Sequence, residues 1–254
     1  MRIEQSFIPV RGVGETTERR LWEAGVTEWQ EFDGSVVGPT VADRIEAFVD
    51  EALNRLAADD ADYFAARLPD GEHWRLYENF RDDACFFDIE TTGLDHEGDR
   101  VTTVSVHRGS ETTTLVRGED LTAGALREHL ADAPLLVTFN GRRFDVPFLE
   151  TSFDVSLDCP HLDLMYACRR IGLTGGLKPI EREVGIERER PDISGRDAVR
   201  LWREYERGDR AALDRLVSYN REDAVNLRAL ADHVTARLHR ETVPDPGPPG
   251  PGRF

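Results

Sequence analysis

Lysine is almost missing from this 254-residue chain: it occurs once, at Lys178, so arginine supplies nearly all of the 32 basic residues. Cysteine is scarce as well. Cys85, Cys159 and Cys168 are odd in number and lack zinc-site spacing, which argues against a disulfide framework and for a reducing, cytoplasmic setting. They read as small buried hydrophobes. No apolar run approaches a membrane span, and the opening Met-Arg-Ile-Glu lacks the apolar stretch of a secretory signal, so no membrane partner is expected. Positive charge is outnumbered, with 49 acidic residues and a net charge of −17. That excess argues against broad electrostatic attachment to nucleic acid. Combined with the lack of lysine, it suggests a halophilic protein kept soluble in concentrated salt. Equal solubility and activity at low and multimolar KCl would count against this. At ~1 M salt the Debye length is only about 3 Å, so a distant surface charge hardly repels a phosphate backbone and local contacts decide.

Hydrophobic residues make up 39% of the chain, enough for a real core, and the length allows one large domain or a domain with a smaller appendage. Residues 1–75 read as a small all-α domain. Pro9-Val-Arg-Gly-Val-Gly14 precedes an amphipathic helix that closes at Gly25. Val26–Phe32 repeats a helical apolar spacing. Gly38 opens a longer helix to about Ala58, with Ile45, Val49, Ala52 and Leu56 on one face. The Gly-Val-Gly segment resembles the hairpin of helix-hairpin-helix modules, whose backbone N–H groups bind a nucleic-acid phosphate. Gly12, Val13 and Gly14 are therefore either a phosphate contact or a tight connection in a packing domain.

Residues 76–238 carry a different pattern. Runs at 84–90, 101–107 and 112–117, parted by turn signals, read as an antiparallel meander. A helical spacing follows at Leu121–Ala131, then a buried strand at Pro134–Phe139. Helices are expected near 162–171, 178–184, 195–207 and 211–238. This order predicts an α/β fold, a mixed β-sheet flanked by helices. Residues 239–254 are rich in Pro and Gly and are expected to be a disordered tail.

Three groups of polar residues stand out. In Asp88-Ile-Glu-Thr-Thr-Gly-Leu94, side chains at i and i+2 share one side of a strand, so Asp88 and Glu90 project together while Phe87 and Ile89 face away. Strand-end acids commonly just face water, but two so close repel unless protons or cations neutralise them. In Phe139-Asn-Gly-Arg-Arg-Phe-Asp145, a turn after a strand delivers Asp145 to the first turn of a helix, where the dipole favours a carboxylate. In Ser218-Tyr-Asn-Arg-Glu-Asp223, Tyr219 and Asp223 are four residues apart and share a helix face.

Taken in order, Asp88-x-Glu90, Asn140-Gly-x-x-Phe-Asp145 and Tyr219-x-x-x-Asp223 resemble the three motifs of the DEDD exonuclease superfamily, in its branch with tyrosine in the third motif. Gly176-Leu-Lys-Pro-Ile-Glu181, Asp192-Ile-Ser-Gly195 and His161-Leu-Asp-Leu-Met165 extend the likeness to RNase H-like predicted exonuclease domains of prokaryotes. The resemblance implies an RNase H-like fold and a 3′-5′ exonuclease acting on DNA or RNA. It implies two divalent cations, Mg²⁺ or Mn²⁺, held by Asp88, Glu90, Asp145 and Asp223, with Tyr219 orienting water or the scissile phosphate. Four converging carboxylates need such neutralisation, and hard oxygen ligands suit these ions. The resemblance also maps Thr91 to the terminal 3′ hydroxyl and Leu94 to a wedge between bases, where plain packing of Leu94 competes. Lys178 is a candidate point charge for a phosphate, and Arg142 and Arg143 for the backbone; each competes with a solvated surface role. Asp163 reads as a helix cap or as a support behind the ligands, not as a ligand itself. Two other functions fit the same motifs: a non-catalytic nucleic-acid-binding module, and a phosphodiesterase of short oligonucleotides.

Overall fold

β-Branched and aromatic residues crowd short runs of the middle of the chain, and these become strands. In the computed structural model, which describes residues 1–189 and 191–244, the strands are β1 (Cys85–Thr91), β2 (Val101–Arg108), β3 (Glu111–Val116), β4 (Leu136–Thr138) and β5 (His161–Asp163). They form one mixed sheet in the order β3-β2-β1-β4-β5. β1 and β3 pair antiparallel with β2, as the meander predicts, while β4 runs parallel to both β1 and β5. β1 is thus the central strand, buried almost throughout, and a bulge between Glu90 and Thr91 breaks its register with β2.

The chain divides into two compact units: Met1–Phe80 with the segment from Thr235, and Arg81–Val234. The first unit holds α1 (Glu15–Glu23), α2 (Pro39–Ala57), α3 (Ala61–Ala65) and α4 (Tyr77–Phe80), with 3-10 turns at Ile3–Gln5, Trp29–Glu31 and Asp70–Leu76. Ala42, Ile45, Phe48 and Ala52 form the buried stripe of α2. Its partner includes Trp29, which stands edge-on to Phe48 at 5.3 Å and donates to the Ser6 carbonyl at 2.8 Å. The helix expected over Val26–Phe32 shrinks to the turn at Trp29–Glu31. The Glu31 carboxylate folds back to accept from the Thr27 and Glu28 amides at 2.7 and 3.0 Å, giving those donors a local alternative to a helix.

In the second unit, α5 (Ala123–Leu130) and α6 (Asp145–Phe153) contribute to a core with Cys85, Phe87 and Ile89 of β1. α7 (Leu164–Arg170), α8 (Leu177–Glu183), α9 (Gly195–Glu206) and α10 (Arg210–Thr242) follow. Ala198, Leu201 and Trp202 of α9 pack with Leu213, Leu216 and Tyr219 of α10 in a second cluster. The expected end of the last helix at 238 is corrected: Leu238 is buried and the helix continues to Thr242, so the tail does not begin at 239. Residues 245–254, where most of the expected disordered tail falls, lie outside the described residues.

Candidate functional site

Alternation along β1 sends Cys85, Phe87 and Ile89 into the apolar core and leaves Asp88 and Glu90 on the opposite face. There Asn220 of α10 donates to the Asp88 carboxylate at 2.7 Å and to its carbonyl at 3.1 Å. Asp223, one turn further along α10, completes a group: one carboxylate oxygen each from Asp88, Glu90 and Asp223 lie within 4.8 Å of one another. The i, i+4 spacing predicted for Tyr219 and Asp223 places both on this side, and the Tyr219 hydroxyl hydrogen-bonds Asp223.

Asp145 comes from the other side of β1. β4 ends at Thr138, Asn140 takes a left-handed conformation (φ 66°), and a Cβ on Gly141 would collide with the Thr138 side chain. Only glycine tolerates that approach. The turn starts α6 with Asp145 at its first position, and Asp145 Oδ1 accepts from the Ile89 amide at 3.3 Å. Asp163 fixes the same turn. Its carboxylate accepts from the amides of Asn140 (2.8 Å), Arg142 (3.2 Å) and Met165 (3.0 Å), so it caps α7, as predicted, and also clamps the segment that delivers Asp145.

All four acids are pushed toward protonation, first by burial and then, in part, by one another. Asp88 and Glu90 are raised well above the usual carboxylate range by burial, with Asp223 and Asp145 adding to it. Burial, with Asp163 and Asp223 adding repulsion, pushes Asp145 up to about 7. Burial likewise pushes Asp223 up to about 6 against the pull of Arg188. Tyr219 is raised by burial and the neighbouring carboxylates, so its hydroxyl keeps its proton. A site of buried carboxylates destabilised by one another is suited to a bound cation. The donors are hard oxygens, which could hold Mg²⁺ or Mn²⁺ and fit zinc poorly.

The resident positive charges are Arg188 and Lys178. Arg188 donates to Asp223 Oδ1 and to both oxygens of Glu181, with Glu222 Oε2 3.7 Å from its Nη1. Arg188 escaped the sequence reading, while Glu181 and Asn220 stood there inside motifs with no role of their own. Asn220 carried a weak signal as the neighbour of Tyr219; Arg188 lies in a charged run with no periodicity.

Of the other candidates, Thr91 is buried at the end of β1 and its hydroxyl donates to the Gly93 carbonyl, while Leu94 is 85% exposed. Gly12, Val13 and Gly14 belong to the first unit, where they line a cleft of ≈ 580 Å³ with Arg11 and Arg67. Gly12 has φ +95°, and Gly14 caps α1. The only helix before this segment is the 3-10 turn at Ile3–Gln5, so the first α-helix of a helix-hairpin-helix is missing. The Phe7 and Ile8 amides turn to Glu18 Oε1 at 2.7 and 3.3 Å and Pro9 has no amide to donate, so the turn does not extend into a helix.

A protein-family scan matches residues 85–235 to the RNase H superfamily. A search of curated proteins gives no match. Among solved structures, a nuclease in its apo form is 26% identical over 62% of this chain and 74% of its own, with a TM-score of 0.47. Brucella melitensis NrnC is 22% identical over 65% and 79%, at 0.43. The family B DNA polymerase of the hyperthermophilic archaeon Pyrobaculum calidifontis is 17% identical over 60% and 27%, at 0.46.

Proposed function

The chain belongs to the RNase H superfamily, and on that footing we propose that it is a metal-dependent nuclease, a 3′-5′ exonuclease of the DEDD type with tyrosine in the third motif, acting on DNA or RNA. The observation that carries this reading is the meeting of Asp88, Glu90 and Asp223 within 4.8 Å, with Asp145 bonded to the intervening strand backbone at Ile89. Acids this crowded and this buried are unfavourable by themselves; their arrangement makes sense as ligands.

Asp88, Glu90, Asp145 and Asp223 would hold two divalent cations, Mg²⁺ or Mn²⁺. Bound there, the cations would neutralise the carboxylates and stabilise charge building on the phosphoryl oxygens during hydrolysis. The chain's own groups do the positioning. Asn220 fixes the Asp88 carboxylate, and Asp163 fixes the turn ahead of Asp145. Tyr219 stays protonated beside Asp223, so it donates a hydrogen bond and aligns what it touches; it does not act as a base. Thr91 and Leu94 follow the acids in sequence and are assigned to the terminal nucleotide. Gly12, Val13 and Gly14 are assigned to a nucleic-acid phosphate, a reading supported by Arg11 and Arg67 in the cleft they line, which Glu15 and Glu72 share.

The test is digestion of matched 5′-labelled DNA and RNA, single- and double-stranded, in Mg²⁺ or Mn²⁺. A ladder that shortens while keeping the label is expected. Oligonucleotide bound but uncut would favour a binding module, and activity confined to very short oligonucleotides would favour the phosphodiesterase. Cleavage by Asp88→Asn protein at the wild-type rate would sink the site.

A further inference from the structure

Lys178, the chain's single lysine, has a buried ammonium with no hydrogen-bond partner among the described residues. It stands on α8 with Nζ 4.5 Å from the centroid of the Tyr219 ring. Burial and the neighbouring Arg188 hold it below the usual lysine range, while Asp223, Glu181 and Glu222 pull the other way. Glu90 also feels its charge. The cation–π contact accounts for the ring but leaves three N–H donors without an acceptor. A lysine kept for packing would reach water or a carbonyl, because burying an unpartnered ammonium is costly. Arg188 repeats the pattern. Its side chain is 5% exposed and anchored on Glu181 and Asp223, yet Nη1 makes no hydrogen bond among the described residues, with Glu222 Oε2 3.7 Å away. Its guanidinium carbon lies 5.9 Å from the centroid of the same Tyr219 ring.

We propose that Lys178, with the Nη1 edge of Arg188, is the anion subsite of the carboxylate cluster, and that it takes the non-bridging oxygens of a nucleotide phosphate. The subsite rests on the nuclease reading above and adds to it the groups that bind the reacting phosphate. Arg188 gives a planar donor edge held in place by two acids, and Lys178 gives a point charge that can follow the phosphate as it moves. Both lie close to the Tyr219 ring, at 4.5 and 5.9 Å from its centroid, which puts the two cations beside the residue next to Asp223 on the same helix face.

The experiment titrates the full-length protein with Ca²⁺ by calorimetry, then with adenosine 5′-monophosphate and with adenosine in saturating Ca²⁺. The wild type is expected to bind Ca²⁺ and to bind the monophosphate more tightly than adenosine. Lys178→Met keeps the apolar stem and loses the charge. It should weaken monophosphate binding tenfold or more, leave adenosine affinity unchanged, and leave Ca²⁺ binding no weaker. Lys178→Arg should recover most of the monophosphate affinity. Wild-type affinity for the monophosphate in Lys178→Met, or an equal loss in Lys178→Arg, would overturn the subsite. Wild-type protein that binds Ca²⁺ but prefers adenosine would overturn the subsite alone; wild-type protein that binds no Ca²⁺ would overturn the nuclease reading with it.

Discussion

The chain buries carboxylates in two places, one in each unit. In the first, Glu18 is 1% exposed and receives the Ser6 hydroxyl (3.0 Å), the Phe7 and Ile8 amides (2.7 and 3.3 Å) and the Arg75 guanidinium (3.0 Å). Arg75 also reaches Glu72 at 2.6 Å, and Trp74 donates to the same Glu72 oxygen at 3.1 Å. Donors and acceptors there are matched inside the protein. In the second, Asp88, Glu90 and Asp223 crowd within 4.8 Å and Asp145 adds its repulsion, with Arg188, Asn220, Tyr219 and the Ile89 amide as donors to the four. Burial raises Glu18 too, but Arg75 and three hydrogen bonds work against it; at Asp88 and Glu90 the neighbouring acids add to burial. A matched buried charge specifies a fold, whereas an unmatched group of like charges specifies a ligand of opposite sign.

The same chemical change should therefore act in opposite directions at the two places. Asp88→Asn should cut hydrolysis on the order of 10³-fold, because a ligand and its charge are lost at the reacting centre. In EDTA the same variant should melt above the wild type, since one of the repelling charges is gone. Glu18→Gln should instead lower stability by about 3–5 kcal/mol, because it leaves Arg75 buried with half its partners. Thermal melts of both variants in EDTA decide the matter. Lower melting of Asp88→Asn would mean that the second cluster is as well matched as the first.

The pH dependence sharpens the contrast. Asp145 and Asp223 titrate at about 7 and about 6 in the folded protein, above the ~3.9 of an unfolded aspartate. The folded state therefore binds protons more tightly than the unfolded state, and stability rises as pH falls through these values. In EDTA the melting temperature should climb between pH 8 and pH 5, by about 2–4 °C for each kcal/mol recovered. Saturating Mg²⁺ should flatten that climb, and Asp145→Asn should reduce it. A slope indifferent to both would place the titrating group elsewhere.

Much of this was readable before the structure. The meander of β1, β2 and β3 carried its alternation in sequence, and the acids of the second cluster sat at spacings that strands and helices convert into shared faces. β5 was not readable, because three residues cannot show a period, and Pro160 and His161 look like a turn. Val26–Phe32 misled for a local reason, the Glu31 carboxylate competing for helix donors. Arg188 was invisible because its value lies in Glu181 and Asp223, the latter 35 residues away, and nothing adjacent marks one arginine among so many. Matched charge in the first unit was equally hidden: Glu18 and Arg75 are 57 residues apart.

The smallest predicted effect concerns the hydroxyl that joins the acids to their neighbours. Tyr219→Phe keeps the ring against which Lys178 rests at 4.5 Å and deletes only the group bonded to Asp223. If the hydroxyl aligns the reacting phosphate or water, turnover should fall about tenfold to a hundredfold, the size of effect expected from lost alignment. Ca²⁺ affinity should hold, since the four carboxylates are untouched. The pH–rate profile should also keep its shape, because a tyrosine held above its usual range does not titrate near neutrality. A profile that lost its alkaline rise would make Tyr219 a base, and lost Ca²⁺ binding would make its hydroxyl part of what holds the acids together. In the second case this cluster would be matched after all, as Glu18 is by Arg75.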